Sequence, residues 1–269
     1  EATKKLLSET QIKADQISRI GISYQTHGLV LVDQDLNPLR KSIIWCDSRA
    51  TPHGEKAFEK LGKEYCKDHL LNSPGNFTAS KLAWVIENEP ELYQRVYKLM
   101  LPGDFLAAKL TGLTQTTITG LSEGIFWDFK NDSPSKSLFD HYQIDQSLVP
   151  EVVSNFTVQA TISKTGASAT GLLEGTPITY RSGDQPNNAY TLGARSSGDI
   201  VATGGTSGVV YALTDQLSGA ELTKVNTFAH VDYQPEQKMF GKLLNLNGAG
   251  IQYRWLHQLM GEKGYDILN

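Results

Sequence analysis

Apolar positions along this chain follow two different periods. Ile17–Ser23 (ISRIGIS) carries β-branched residues at short, strand-like intervals and predicts a strand. Leu29–Val32 (LVLV) predicts a second short strand, closed by the turn residues Asp33–Pro38, and Ile43–Trp45 a third. The connections between the three are too short for crossover helices, so a meander is expected rather than parallel βαβ units. Ahead of them, Glu1–Glu9 reads as the end of a helix.

The middle of the chain shifts to helical spacing. Arg49–Leu61 predicts one helix. Thr78–Glu87 predicts another, with Thr78 as its N-cap and Leu82, Val85 and Ile86 on one face. Pro90 opens a further helix, and Gly103–Leu110 is stopped by Thr111-Gly112. Pro134–Asp140 and Gln143–Val153 read as short helices and loops. After Gly171 the texture changes again. Thr176–Tyr180 predicts a strand running into Arg181-Ser182-Gly183-Asp184-Gln185, followed by a small-residue helix over Pro186–Gly193. Ile200–Ala202 and Val209–Leu213 predict strands around a glycine-rich loop. Thr227–Val231 and Met239–Leu246 predict two more, and Gly250–Met260 a helix. A domain boundary is expected near Thr170–Gly175, dividing the chain into 1–173 and 174–269. The class is α/β.

Composition narrows the functional field. The 269 residues suit one large or two ordinary domains, and 39% hydrophobic against 20% charged residues supports a packed core. A net charge of −4 argues against a nucleic-acid or polybasic membrane surface. The two cysteines, Cys46 and Cys66, are too few for a disulfide framework and suit a reducing, cytoplasmic setting. No run approaches the roughly 18 apolar residues of a spanning helix. The chain starts at Glu1 inside a helix-like run, so its start reads as a cut.

Candidate chemistry sits in four places. Gly183-Asp184-Gln185 lies between a strand and a helix, where a carboxylate can take a proton from an attacking hydroxyl; on the tripeptide alone a simple turn or N-cap is the favoured explanation. Gly204-Gly205-Thr206-Ser207-Gly208 can let a phosphate approach the backbone, or can be a hairpin turn; it is neither a P-loop nor a dinucleotide fingerprint. Gln25-Thr26-His27-Gly28 can hydrogen-bond sugar hydroxyls or form a capped turn. In Trp45-Cys46-Asp47-Ser48-Arg49, Trp45 can stack on a ligand, while capping and pairing with Arg49 account for Asp47. The six histidines and two cysteines show no metal-ligand spacing, so no protein metal site is expected.

Six segments, taken in order, resemble the FGGY family of carbohydrate kinases. They are Gly21–Asp33 (GISYQTHGLVLVD), Ile44–Arg49 (IWCDSR), Asn76–Val85 (NFTASKLAWV), Leu101–Leu106 (LPGDFL), Gly183-Asp184-Gln185 and Gly205–Val209 (GTSGV). The resemblance implies an actin/hexokinase-like (ribonuclease H-like) fold of two α/β domains around a cleft, here incomplete. Residues 1–173 would be most of the sugar-binding domain and 174–269 the start of the nucleotide-binding domain. It implies phosphorylation of a ketose, D-xylulose foremost, at its terminal hydroxyl by ATP with Mg2+; another sugar, a polyol, a sugar acid, or a sugar-binding module without turnover are the alternatives. By carry-over Asp184 is the general base, with Gln185 beside it near the sugar. Thr26, His27 and Asn76 contact sugar hydroxyls, and Gly205 and Thr206 approach the nucleotide phosphates. Homodimers are expected, and no nucleic-acid or membrane partner. Thr26 departs from the apolar residue usual in the family. The family's opening Asp-x-Gly-Thr hairpin does not precede Ile17, and the family continues beyond Asn269. The chain is therefore expected to be an internal part of a longer kinase, with an open sheet edge and no ATP turnover of its own.

Overall fold

A computed structural model describes residues 1–205, 207–217, 221–246, 248–261 and 264–265. Helix α1 (Ala2–Thr10) leads into strand β1 (Ile20–Tyr24) and, after a tight turn, β2 (Val30–Val32). A helical layer follows: α2 (Thr51–Leu61), α3 (Thr78–Asn88) and α4 (Pro90–Tyr93). Next come β3 (Lys98–Met100), α5 (Pro102–Thr111), α6 (Ile118–Glu123) and α7 (Lys136–Tyr142). The chain then forms β4 (Ala160–Thr161), α8 (Lys164–Thr170), β5 (Pro177–Gly183) and α9 (Asp184–Thr191). It ends with β6 (Ile200–Gly204), β7 (Gly208–Thr214), β8 (Val225–Ala229), β9 (Phe240–Leu246) and α10 (Gly250–Leu259).

Two sheets organise these elements. The first has the order β1-β5-β4, with β1 and β5 parallel and in register at Tyr24↔Gly183. The second is antiparallel throughout, in the order β6-β7-β9-β8. Among the described residues β1 pairs only with β5, so its other side is an open edge. The division expected at 173/174 falls between α8 and β5, and β5 itself hydrogen-bonds to β1.

The expected meander does not form. β2 pairs antiparallel with β3, Val30 opposite Met100, and Ile43 makes only a single bridge to Leu29. Short connections exclude parallel pairing between consecutive strands, but β1 and β5 are joined through residues 25–176, helices, short strands and loops together, ample for a crossover. The LVLV run is buried on both faces, so it needs cover from two layers and cannot sit in an open meander.

Helix punctuation follows the sequence except at Asp47 and Thr78: α2 starts at Thr51 with Ala50 as its N-cap residue, and Asp47 instead accepts the Arg49 N–H and guanidinium. Pro90 and Pro102 occupy first-turn positions, and Gly112, at φ 81°, ends α5 by donating its N–H to the Ala108 carbonyl. Thr78, however, does not cap α3. Phe77 is the N-cap residue, and the Thr78 hydroxyl is buried in the first turn without a partner. Strand β5 is longer than predicted because Arg181 is an interior residue. Its guanidinium, 1% exposed, meets the equally buried Asp104 at 3.2 Å, with further bonds to Gln159 and the Gln115 carbonyl. These partners satisfy a charge that would otherwise be expensive to bury. One hydrophobic cluster runs from Leu29, Leu82, Phe126 and Phe139 to Phe228, Phe240 and Leu243, so the helical layer and the second sheet share a core.

Candidate functional site

Parallel neighbours end side by side, and ligands in open α/β sheets bind where strand carboxyl ends and their loops diverge. The pairing of Tyr24 with Gly183 therefore delivers two segments to one place: Gln25–Gly28 after β1, and Asp184-Gln185 opening α9. Glycines make the junction possible. A Cβ on Gly183 would run into Glu123 Oε1 and Thr26 Cγ2, and one on Gly28 would lie 2.5 Å from Pro102 Cγ.

Between these segments and the second sheet lies a cavity of about 440 Å3. Gln25, Thr26, His27, Trp45, Asn76, Phe77, Asp184 and Gln185 line one side. Ser207, Val209, Asn226, Leu243 and Asn245 line the other. All five residues expected at the sugar are thus gathered in one enclosure. The larger surface recess, about 680 Å3 around Asp33 and Asp145, contains none of them.

His27 is held from every side. Its backbone is left-handed, at φ 62°, a conformation uncommon outside glycine. Its Nδ1–H donates to the Glu123 carbonyl at 2.9 Å, its own carbonyl accepts from Lys81 Nζ at 2.7 Å, and its ring packs against Phe77 and Phe228. A carbonyl can only accept, so the bond to Glu123 places the proton on Nδ1 and leaves Nε2 as an acceptor. Burial, with the Lys81 charge adding to it, pulls the ring's pKa down to about 4. His27 is neutral at pH 7.

Asn76 donates its Nδ2 to the Asp47 carbonyl at 2.9 Å, which leaves Oδ1 enclosed without a partner. Asp184 accepts from the Gln185 N–H at 3.0 Å, from Gln185 Nε2 at 3.4 Å and from the Thr26 backbone. Burial pushes its carboxyl above the ordinary aspartate value, and those hydrogen bonds oppose the rise. His27 Nε2, Asn76 Oδ1 and the Asp184 carboxylate are three acceptors around one cavity. That complement suits a ligand rich in hydroxyl donors.

The phosphate end is less built. A Cβ on Gly204 would meet nothing, so the β6–β7 turn has room above it. The Gly205 N–H, however, bonds to the Ser207 carbonyl at 2.9 Å and its carbonyl accepts from Gly250. Gly205 does not line the cavity; Ser207 does. Thr206 lies outside the described residues. No group of three His, Cys, Asp or Glu side chains that could hold a metal occurs among the described residues.

Several lining residues carried no signal of their own in the sequence. Asn226, Leu243 and Asn245 share a face only because β8 and β9 pair at Asn226↔Leu243. Glu123 and Lys81, 1% and 0% exposed, emerge only from the packing behind His27. Asp47 does pair with Arg49, at 2.7 Å, and the Arg49 guanidinium lies 4.6 Å from the centroid of the Trp84 ring. Trp45 stands 58% exposed at the cavity wall.

Comparison with known proteins completes the description. Residues 1–190 match the FGGY family of carbohydrate kinases, N-terminal domain. The xylulose kinase of Bacillus subtilis is 32% identical over 86% of this chain and 46% of its own length. That of Staphylococcus xylosus is 29% identical over 91% of this chain and 50% of its own. The chain spans about half the length of these curated relatives. Among solved structures, the xylulose kinase of Rhodospirillum rubrum superposes with a TM-score of 0.82 at 20% identity, covering 93% of this chain and 50% of that one. The glycerol kinase of Plasmodium falciparum, determined with ADP, superposes at 0.84 and 19%, covering 96% and 53%. The fold is the actin/hexokinase-like fold of the FGGY sugar kinases.

Proposed function

Because the chain belongs to the FGGY family of carbohydrate kinases, we propose that it forms the sugar site of an ATP-dependent ketose kinase, converting D-xylulose to D-xylulose 5-phosphate. The observation that carries the reading is the convergence of Asp184, His27 and Asn76 on one cavity. Asp184 takes the proton of the attacking terminal hydroxyl as its oxygen approaches the transferred phosphoryl group. The Gln185 and Thr26 N–H groups hold the carboxylate in place. His27 Nε2 and Asn76 Oδ1 accept hydrogen bonds from other sugar hydroxyls and fix which hydroxyl faces Asp184. The enclosing wall of the second sheet limits water, the competing acceptor.

ATP supplies the phosphoryl group, with Mg2+ neutralising its phosphates. Residues 1–173 are read as most of the sugar domain and 174–269 as the start of the nucleotide domain, with Gly205 and Thr206 on the phosphate side. The reading includes a cytoplasmic location and a homodimer, and no nucleic-acid or membrane partner. No described helix is long and apolar enough to cross a membrane.

The test is coupled ADP release over ketoses, polyols and sugar acids, run on this chain and on a longer kinase containing it. D-xylulose-dependent ADP release by the longer protein and none by this chain is expected. Faster turnover of a polyol or sugar acid reassigns the substrate. No turnover of any of them removes the kinase reading.

A further inference from the structure

Glu123 is the last residue of α6, 1% exposed, and no cation pairs with it among the described residues. Its Oε1 accepts the Gly183 N–H at 3.0 Å. Its carbonyl, one of the unpaired acceptors that end a helix, takes His27 Nδ1–H at 2.9 Å. Its neighbour Ser122 accepts the Ala229 N–H of β8 at 2.9 Å through Oγ. One helix end thus ties together the base segment, the His27 turn and the second sheet. The fit leaves no slack, since a Cβ on Gly183 would collide with the Glu123 carboxyl.

We propose that Glu123 is a positioning residue: its side chain fixes the Gly183 peptide, and with it the Asp184 carboxylate, against the turn that carries His27. The inference rests on the reading of Asp184 as the base, but its geometry does not. The titratable and charged groups around Glu123 are Tyr24 on β1, Tyr180 and Arg181 on β5, Asp104 on α5, Asp184 on α9, Tyr211 on β7 and His27. Arg181 is committed to Asp104. Burial pushes the Glu123 carboxyl well above its ordinary value, the Gly183 N–H opposes the rise, and the nearby Asp184 and Asp104 carboxylates add to it.

The test uses this chain, labelled with 13C at aspartate carboxyls and 15N at histidine rings, with Asp184→Asn to assign the Asp184 signal. Glu123→Gln keeps an acceptor of the same shape that cannot ionise; Glu123→Leu keeps bulk and removes the acceptor. Glu123→Leu is expected to raise the Asp184 titration midpoint by about one unit relative to Glu123→Gln, because only Gln keeps an acceptor for the Gly183 N–H and so keeps the donors converging on Asp184. The His27 ring is expected to stay protonated on Nδ1 in both, because the Glu123 carbonyl remains. Glu123→Leu titrating like Glu123→Gln overturns the proposal. If Glu123→Leu does not fold, the unsubstituted chain decides. A Gly183 amide protected from exchange supports the proposal, and one that exchanges freely overturns it. Failure of the longer kinase to lose turnover on Asp184→Asn would remove the base assignment while leaving these results in place.

Discussion

Acidifying the protein from pH 7 to 4.5 isolates the free energy stored at His27. Its ring titrates at about 4 in the folded chain, against about 6.5 when unfolded. Between those values the unfolded chain binds a proton that the folded one refuses, so stability is fully present above pH 6.5 and drains away as the pH falls toward 4. At 1.36 kcal/mol per pH unit the full shift corresponds to about 3 kcal/mol, which residual solvent access through the cavity trims to about 2. The assay is urea unfolding of the unsubstituted chain and of His27→Gln at pH 7, 6, 5 and 4.5. Left-handed backbone strain and the lost ring packing change the variant by a constant amount. Buried carboxylates titrate in both proteins. The pH dependence of the difference therefore belongs to His27: the original chain should lose about 2 kcal/mol relative to the variant across this range. A difference flat to within 0.5 kcal/mol, on the order of the reproducibility of such extrapolations, would refute the assignment of a buried neutral imidazole.

Three further outcomes follow from the same geometry. Gly183 has φ −59°, so Gly183→Ala meets no backbone penalty; but Glu123 Cδ, 2.7 Å from the new methyl carbon, must retreat to at least 3.4 Å. The overpacking should cost about 1–3 kcal/mol, read as a drop of several degrees in Tm; an unchanged Tm contradicts the closeness of the junction. Lys81→Met leaves the left-handed His27 carbonyl without its charged donor and should destabilise the chain by about 1.5–3 kcal/mol, while Lys81→Arg recovers part of it. In a longer kinase containing this chain, Asp184→Ala should lower kcat by several orders of magnitude, roughly the scale of a lost general base plus lost orientation, with sugar affinity retained; retained turnover would take Asp184 out of the base role.

The elements themselves were largely legible. Pro90, Pro102 and Gly112 punctuate helices where their backbone chemistry requires, and the alternating runs of 208–214 and 240–246 are strands. Thr78 shows the limit of local rules. A threonine ahead of an apolar helix reads as a cap, yet Thr78 is fully buried inside the first turn, where the Gly124 carbonyl accepts the Ala79 N–H instead. Ile43 shows the same limit for strands, since β-branched composition cannot supply a partner.

By itself the sequence determined the family, through six ordered segments, and singled out five residues that line the cavity: Thr26, His27, Asn76, Asp184 and Gln185. Only the tertiary structure decided that they meet. Tyr24 and Gly183 lie far apart along the chain, and their parallel pairing is a non-local hydrogen-bonding choice that no local pattern encodes. The same holds for Glu123 and Lys81. As letters they are ordinary surface residues; burial beside His27 and Gly183 changes what their charges and hydrogen bonds can do, and burial is a property of the assembled layers.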